Sequence, residues 1–135
     1  MVEKRITDGR RIAELLSSEL DGREDGHLKH LAVVNADADV EPTADGARAY
    51  DVEREGESGE TTRFARVFIH DDRAHVEFER GQDRAAAVAE SSGLRVRPKA
   101  TTPPKTLVFV EDGGEVKRAS DVFDAASQAL EDEAL

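Results

Sequence analysis

The sequence predicts an α+β domain in which an antiparallel sheet of about five to seven strands carries three helices, mostly on one face. Three observations carry that prediction. Several short runs alternate apolar and polar side chains and are bounded by Gly, Pro and Asp. Three longer segments repeat apolar residues at helical spacing. The length of 135 residues suits one domain and is enough to bury a core.

The first helix is expected from about Asp8 to Leu20, with Thr7 or Asp8 as its N-cap. Ile12, Leu15, Leu16 and Leu20 form its apolar stripe, and the Asp21-Gly22-Arg23-Glu24-Asp25-Gly26 stretch ends it. Leu31–Val34 is a short apolar run of strand type. Pro42 and Asp45-Gly46 mark a polar loop, and Ala47–Glu55 then alternates around Tyr50 and Val52 as a second strand. Glu57-Ser58-Gly59-Glu60 is a turn.

The next segment sorts its side chains into two faces. With a two-residue turn at Asp72-Arg73, residue 69 faces 76 and 67 faces 78. Ile69, Val76, Val67 and Phe78 then share the inner face. Arg66 meets Glu79, Phe68 meets Glu77, and His70 meets His75 on the outer face. A slip of one residue would destroy this sorting.

Asp83 to Ser92 is an alanine-rich helix that Gly93 stops. Leu94 to Arg97 reads as a short strand, and Pro98, Pro103 and Pro104 as a stiff loop. Thr106–Val110 is a strand, Asp112-Gly113 a hairpin turn, and Glu115–Ala119 the returning strand. Phe64–Ser92 and Thr106–Leu130 would then share a strand–turn–strand–helix order. Ser120 is the expected cap of a last helix through Leu130, with Phe123, Ala126 and Leu130 on one face. Residues 1–130 make the domain on this reading, and 131–135 an acidic tail. Glu131, Asp132 and Glu133 oppose the helix dipole, so the tail is expected to fray.

Composition says where such a chain is suited to work. Asp and Glu number 30 against 19 Lys and Arg, for a formal net charge of -11. Fourteen of the cations are arginine, and Ala and Val dominate the small apolar residues. Carboxylates hold water and cations, and their repulsion is tolerable where a Debye length of ~3 Å at 1 M salt screens it. The expectation is a protein of a salt-rich cytoplasm. The N-terminal residues are charged, and no apolar run approaches a signal peptide or a membrane span. An acidic surface disfavours nucleic acid. Zero cysteines exclude disulfides, thiolate metal sites and cysteine nucleophiles.

Two constellations could carry chemistry. Between Glu90 and Glu111 there is no acidic residue, yet Arg95, Arg97, Lys99 and Lys105 all lie there. Alternation puts Arg95 and Arg97 on one face of a strand, where guanidinium forks suit phosphate or carboxylate. Neutralisation of the protein's own carboxylates is the plainer account of the same cations. The second constellation is His70, His75 and Glu77, enough for a weak divalent site, although a solvated cross-strand pair is the ordinary outcome. His27 and His30, three apart near Lys29, carry no further signal. Asn35, Asp37, Asp39 and Glu41 alternate oxygen ligands as a calcium loop does. Val40 and Gly46 stand where that loop requires Gly and Glu. No Gly-rich nucleotide loop, nucleophile elbow or zinc-protease motif occurs, and no cofactor is implied.

In composition, and in stretches such as Ala65-Arg66-Val67-Phe68-Ile69 and Lys105-Thr106-Leu107-Val108-Phe109-Val110, the chain resembles the small acidic uncharacterised proteins of halophilic archaea. That resemblance implies no activity and supplies no site residues. The leading expectation is a non-enzymatic binding or accessory module, monomeric or weakly homodimeric. It would meet an acidic protein or a phosphate-bearing ligand through Arg95, Arg97, Lys99 and Lys105. The alternative is a small hydrolase or metal-dependent enzyme built on His70, His75 and nearby carboxylates.

Overall fold

Helical spacing, period-two runs and their turn residues resolve into three helices and six strands in the computed structural model, which describes residues 6–22 and 26–133. The first helix, α1, covers Gly9–Gly22. Asp8 caps it, its Oδ1 accepting the Arg11 amide at 3.0 Å. Arg23, Glu24 and Asp25 of the expected stop lie outside the described residues, as do Ala134 and Leu135 of the tail. A 3-10 turn at Leu28–His30 feeds β1 (Leu31–Val34). Strands β2 (Ala47–Glu55), β3 (Thr61–Ile69) and β4 (Ala74–Phe78) follow. Helix α2 (Gln82–Ser91) precedes β5 (Val96–Lys99) and β6 (Lys105–Val110), and α3 (Val116–Glu133) closes the chain.

The strands form one antiparallel sheet in the order β1-β2-β3-β4-β6-β5. One face takes the helices. Val67, Val76 and Val108 stand in register across three strands and are fully buried there with Ile12 and Leu16 of α1 and Val122 of α3. Phe78 anchors this layer. Its ring meets Phe64 edge-on at 5.8 Å and Phe123 at 4.8 Å. Tyr50 reaches the same layer and donates from its hydroxyl to the Ala13 carbonyl at 2.8 Å. Burial pushes the Tyr50 phenol well above its ordinary range.

Three expectations change. The β3–β4 hairpin is displaced by two residues: Val67 pairs with Val76, Phe68 with His75 and Arg66 with Glu77. The tight turn is Asp71-Asp72, closed by the His70 amide on the Arg73 carbonyl at 2.8 Å. A slip of two keeps every side chain on its face, so face sorting could not detect it. Second, Glu115–Ala119 is not a strand. A short 3-10 turn at Gly113–Glu115 runs directly into α3, in which Val116, Ala119, Val122, Phe123, Ala126 and Leu130 are all buried. That is helical spacing, and β6 pairs with β4 and β5 instead. The repeated strand–turn–strand–helix order is therefore absent. Third, Ser120 lies inside α3 and donates back to the Lys117 carbonyl at 2.6 Å.

Two smaller shifts matter for the site. The short strand near Arg97 is Val96–Lys99 and holds Pro98 within it, at the edge of the sheet where proline is tolerated. The last helix continues three residues beyond Leu130 and so brings Glu131 onto a helical face.

Candidate functional site

The sheet face turned away from the helices gathers both constellations seen in the sequence. Register places Phe68, His75 and Phe109 in one row across β3, β4 and β6. Arg66, Glu77, Leu107 and Arg97 form the next row. Lys99 and Lys105 face each other directly across β5 and β6.

This face is not solvated at its centre. His70, His75 and Glu77 are 5%, 3% and 6% exposed, so the expected open histidine pair is a buried one. The Phe68 ring stacks on His75 at 4.9 Å, and Phe109 approaches the same imidazole at 5.5 Å. The loop before β2 lies over both histidines. Gly46 takes the left-handed φ of +96° there, and a β-carbon on it would come within 2.8 Å of His75 Cε1 and 3.1 Å of His70 Nε2.

The two histidines are diagonal neighbours, not direct opposites, and they still touch. His70 Nδ1 meets the Ala44 carbonyl at 2.9 Å, His70 Nε2 meets His75 Nδ1 at 2.7 Å, and His75 Nε2 meets Glu77 Oε2 at 3.2 Å. With the carbonyl accepting, His70 donates from Nδ1 and accepts at Nε2, so His75 donates from Nδ1. Rings that carry one proton each would supply two protons to three contacts. In that tautomer the contact without a proton would be the longest, His75 to Glu77, and a second proton on His75 would complete it. Burial pushes the His75 imidazole below its ordinary pKa, while its contact with Glu77 works in the opposite direction.

Glu77 is the meeting point of the two sets. Lys99 Nζ stands 3.6 Å from its Oε2 and Lys105 Nζ 3.8 Å from its Oε1. Two lysines placed opposite each other would repel, and one carboxylate between them compensates for both. Arg95 pairs with Glu111 at 3.8 Å and lies 5.2 Å from the Phe109 ring, which Arg73 also approaches at 5.5 Å. Arg97 is exposed and makes no ion pair among the described residues.

Chemically, the chain from His70 to Glu77 is linear. His75 spends one ring nitrogen on His70 and the other on Glu77, so the donors do not converge on a point where an ion could sit. The group of three metal-ligating side chains that does converge among the described residues is His27, His30 and Glu131. The i, i+3 spacing of the two histidines was visible in the sequence. Glu131 was one carboxylate among many until α3 placed it. Asn35 and Asp37 turn to their own chain, Asn35 Nδ2 donating to Asp51 at 3.1 Å and Asp37 Oδ1 accepting the Asp39 amide at 3.0 Å.

Fold and site together define a small α+β domain whose sheet packs three helices on one face. The other face covers a histidine–carboxylate–lysine chain. The chain belongs to a family of unknown function, DUF7993, whose family model matches residues 1–135. No curated protein and no solved structure matches it. Among the described residues no helix is long and apolar enough to cross a membrane.

Proposed function

We propose that this domain is a non-enzymatic binding module of a salt-rich cytoplasm, and that it grips an anionic partner, an acidic protein or a phosphate-bearing ligand. The contact surface is the outer face of β5 with the residue just before it and its neighbour in β6: Arg95, Arg97, Lys99 and Lys105. The observation that carries the reading is Arg97, exposed on an edge strand and without an ion pair among the described residues. Beside it, Arg95 is held by one exposed contact to Glu111. Exposed pairs of this kind contribute ~0–1 kcal/mol, so a partner's carboxylate or phosphate can replace Glu111 at little cost. Lys99 and Lys105 serve Glu77 first and add field more than direct contact. A hydrolase built on His70 and His75 has less support, because Gly46, Phe68 and Phe109 close over both rings.

The decisive variant is Arg95→Glu with Arg97→Glu. In about 2 M KCl it should keep its fold and lose every partner that the native chain retains. A variant that folds and still holds those partners would sink the reading. A variant that instead melts early in dilute salt would assign both arginines to the protein's own carboxylates.

The salt-rich setting makes its own prediction. A net charge of -11 on a small domain opposes compaction, and screening relieves it. The thermal midpoint should rise by several degrees or more between about 0.1 M and about 2 M KCl, and likewise in NaCl. A midpoint flat across that range removes the halophilic setting from the proposal.

A further inference from the structure

At the opposite edge of the sheet from β5, the 3-10 turn that leads into β1 carries two histidines against α3. His27 is the N-cap of that turn and His30 its last residue. Residues three apart eclipse in a 3-10 helix, so both imidazoles point the same way. They point at Glu131. His27 Nδ1 is in close contact with Glu131 Oε2, and His30 Nε2 is 3.9 Å from the same oxygen. The three ligand atoms lie within 4.8 Å of one another. All three atoms are buried from water, and none has a hydrogen-bond partner outside the cluster. Three buried polar atoms that converge with only one another for company, two ring nitrogens on a single carboxylate oxygen, are under-satisfied unless a further group joins them.

We propose that His27, His30 and Glu131 bind a divalent transition-metal ion of the zinc class. Two imidazoles and one carboxylate are a borderline-soft donor set, suited to zinc or its neighbours and poorly suited to magnesium or calcium. Donors ~2.0–2.1 Å from a tetrahedral ion stand about 3.3 Å apart, so side-chain adjustments of the order of 1 Å complete the site. The surroundings are built for that. The His27 amide donates to Asp124 Oδ1 at 2.7 Å, and the His27 carbonyl accepts from Ser127 Oγ at 2.9 Å. Ser127 is itself held by Arg54, whose Nε donates to the hydroxyl at 2.9 Å and Nη2 to the carbonyl at 3.1 Å. Asp124, Ser127 and Glu131 recur at i, i+3 and i+7, one face of α3, so a single helix face fixes the backbone of one ligand and supplies another. Outer contacts that fix a ligand in this way are characteristic of metal sites.

Three protein ligands leave a fourth position open. His30 and Glu131 also line a cavity of about 300 Å³ with Arg54, Thr62 and Arg80. A water or a small anion could complete the ion's shell from that side.

The test is a zinc titration of the full chain in the presence of excess magnesium, which occupies the weak carboxylate sites of an acidic surface. Calorimetry should show saturable one-to-one binding. The ring resonances of His27 and His30 should move while those of His70 and His75 stay in place. His30→Ala and Glu131→Gln should each weaken zinc binding by about 100-fold or more, since even outer-shell changes cost 10–100-fold. Folding of each variant is checked by its thermal melt without metal. His27→Gln is the reserve variant, because the backbone contacts of residue 27 to α3 survive it. The proposal is overturned by the lack of a saturable event, by equal affinity in the folded variants, or by shifts confined to His70 and His75.

Discussion

Phe78→Ala is expected to destabilise the fold by about 3–5 kcal/mol, the range for emptying a well-packed aromatic site. The ring is fully buried between Phe64 and Phe123 and so joins β3, β4 and α3 in one contact. Two aromatic neighbours from separate elements cannot collapse into the space together, which puts the cost in the upper part of that range. Urea titration at constant salt would read it as a lowered midpoint with an unchanged slope. A loss under about 1 kcal/mol would mean that Phe78 is not at the centre of the core.

Gly9→Ala is expected to cost about 3 kcal/mol or more, at or beyond the usual limit for overpacking. Gly9 opens α1 against the backbone of the β3–β4 turn, and its amide donates to the Asp71 carbonyl at 3.1 Å. A β-carbon there would come within 1.9 Å of the His70 carbonyl oxygen and 2.5 Å of that of Arg73. Neither backbone can yield without dragging a helix or a hairpin. Gly22, at the other end of the same helix, has nothing within 4 Å of the corresponding position. Gly22→Ala should therefore be neutral or stabilise by up to about 1 kcal/mol. Comparable effects at the two ends would show that α1 does not lean on the hairpin.

What the sequence could reveal follows from which signals are local. Ala47–Glu55 was legible to the residue because alternation and flanking turn residues bound it on both sides, and Leu31–Val34 because it is an unbroken apolar run between polar neighbours. Gly93 was legible as a helix stop, and its φ of +79° is the backbone reason. The hairpin register was half legible. Periodicity fixes a face modulo two, and only the turn separates Asp71-Asp72 from Asp72-Arg73. Asp112-Gly113 misled because the same dipeptide that makes a hairpin also precedes a helix, and the i, i+3 spacing of Val116 and Ala119, which belongs to a helix, is a weak signal over so short a run. The site was legible in its parts and not in its assembly. Nothing local joins Lys99 and Lys105 to Glu77, since strand order does that. Nothing local joins His30 to Glu131, which stands at the far end of the chain.

Pro98 gives the sheet a form of insurance that salt cannot remove. The strand that bears it has only four residues and ends the sheet, so its outward backbone groups are open to a strand from another molecule. Proteins commonly guard such edges against aggregation with charge, and Arg97 and Lys99 flank the proline here. At about 1 M salt that electrostatic guard reaches only ~3 Å. A missing amide hydrogen and a rigid ring act at any ionic strength. A crowded, concentrated brine would thus leave the steric half of the guard intact where the electrostatic half fades.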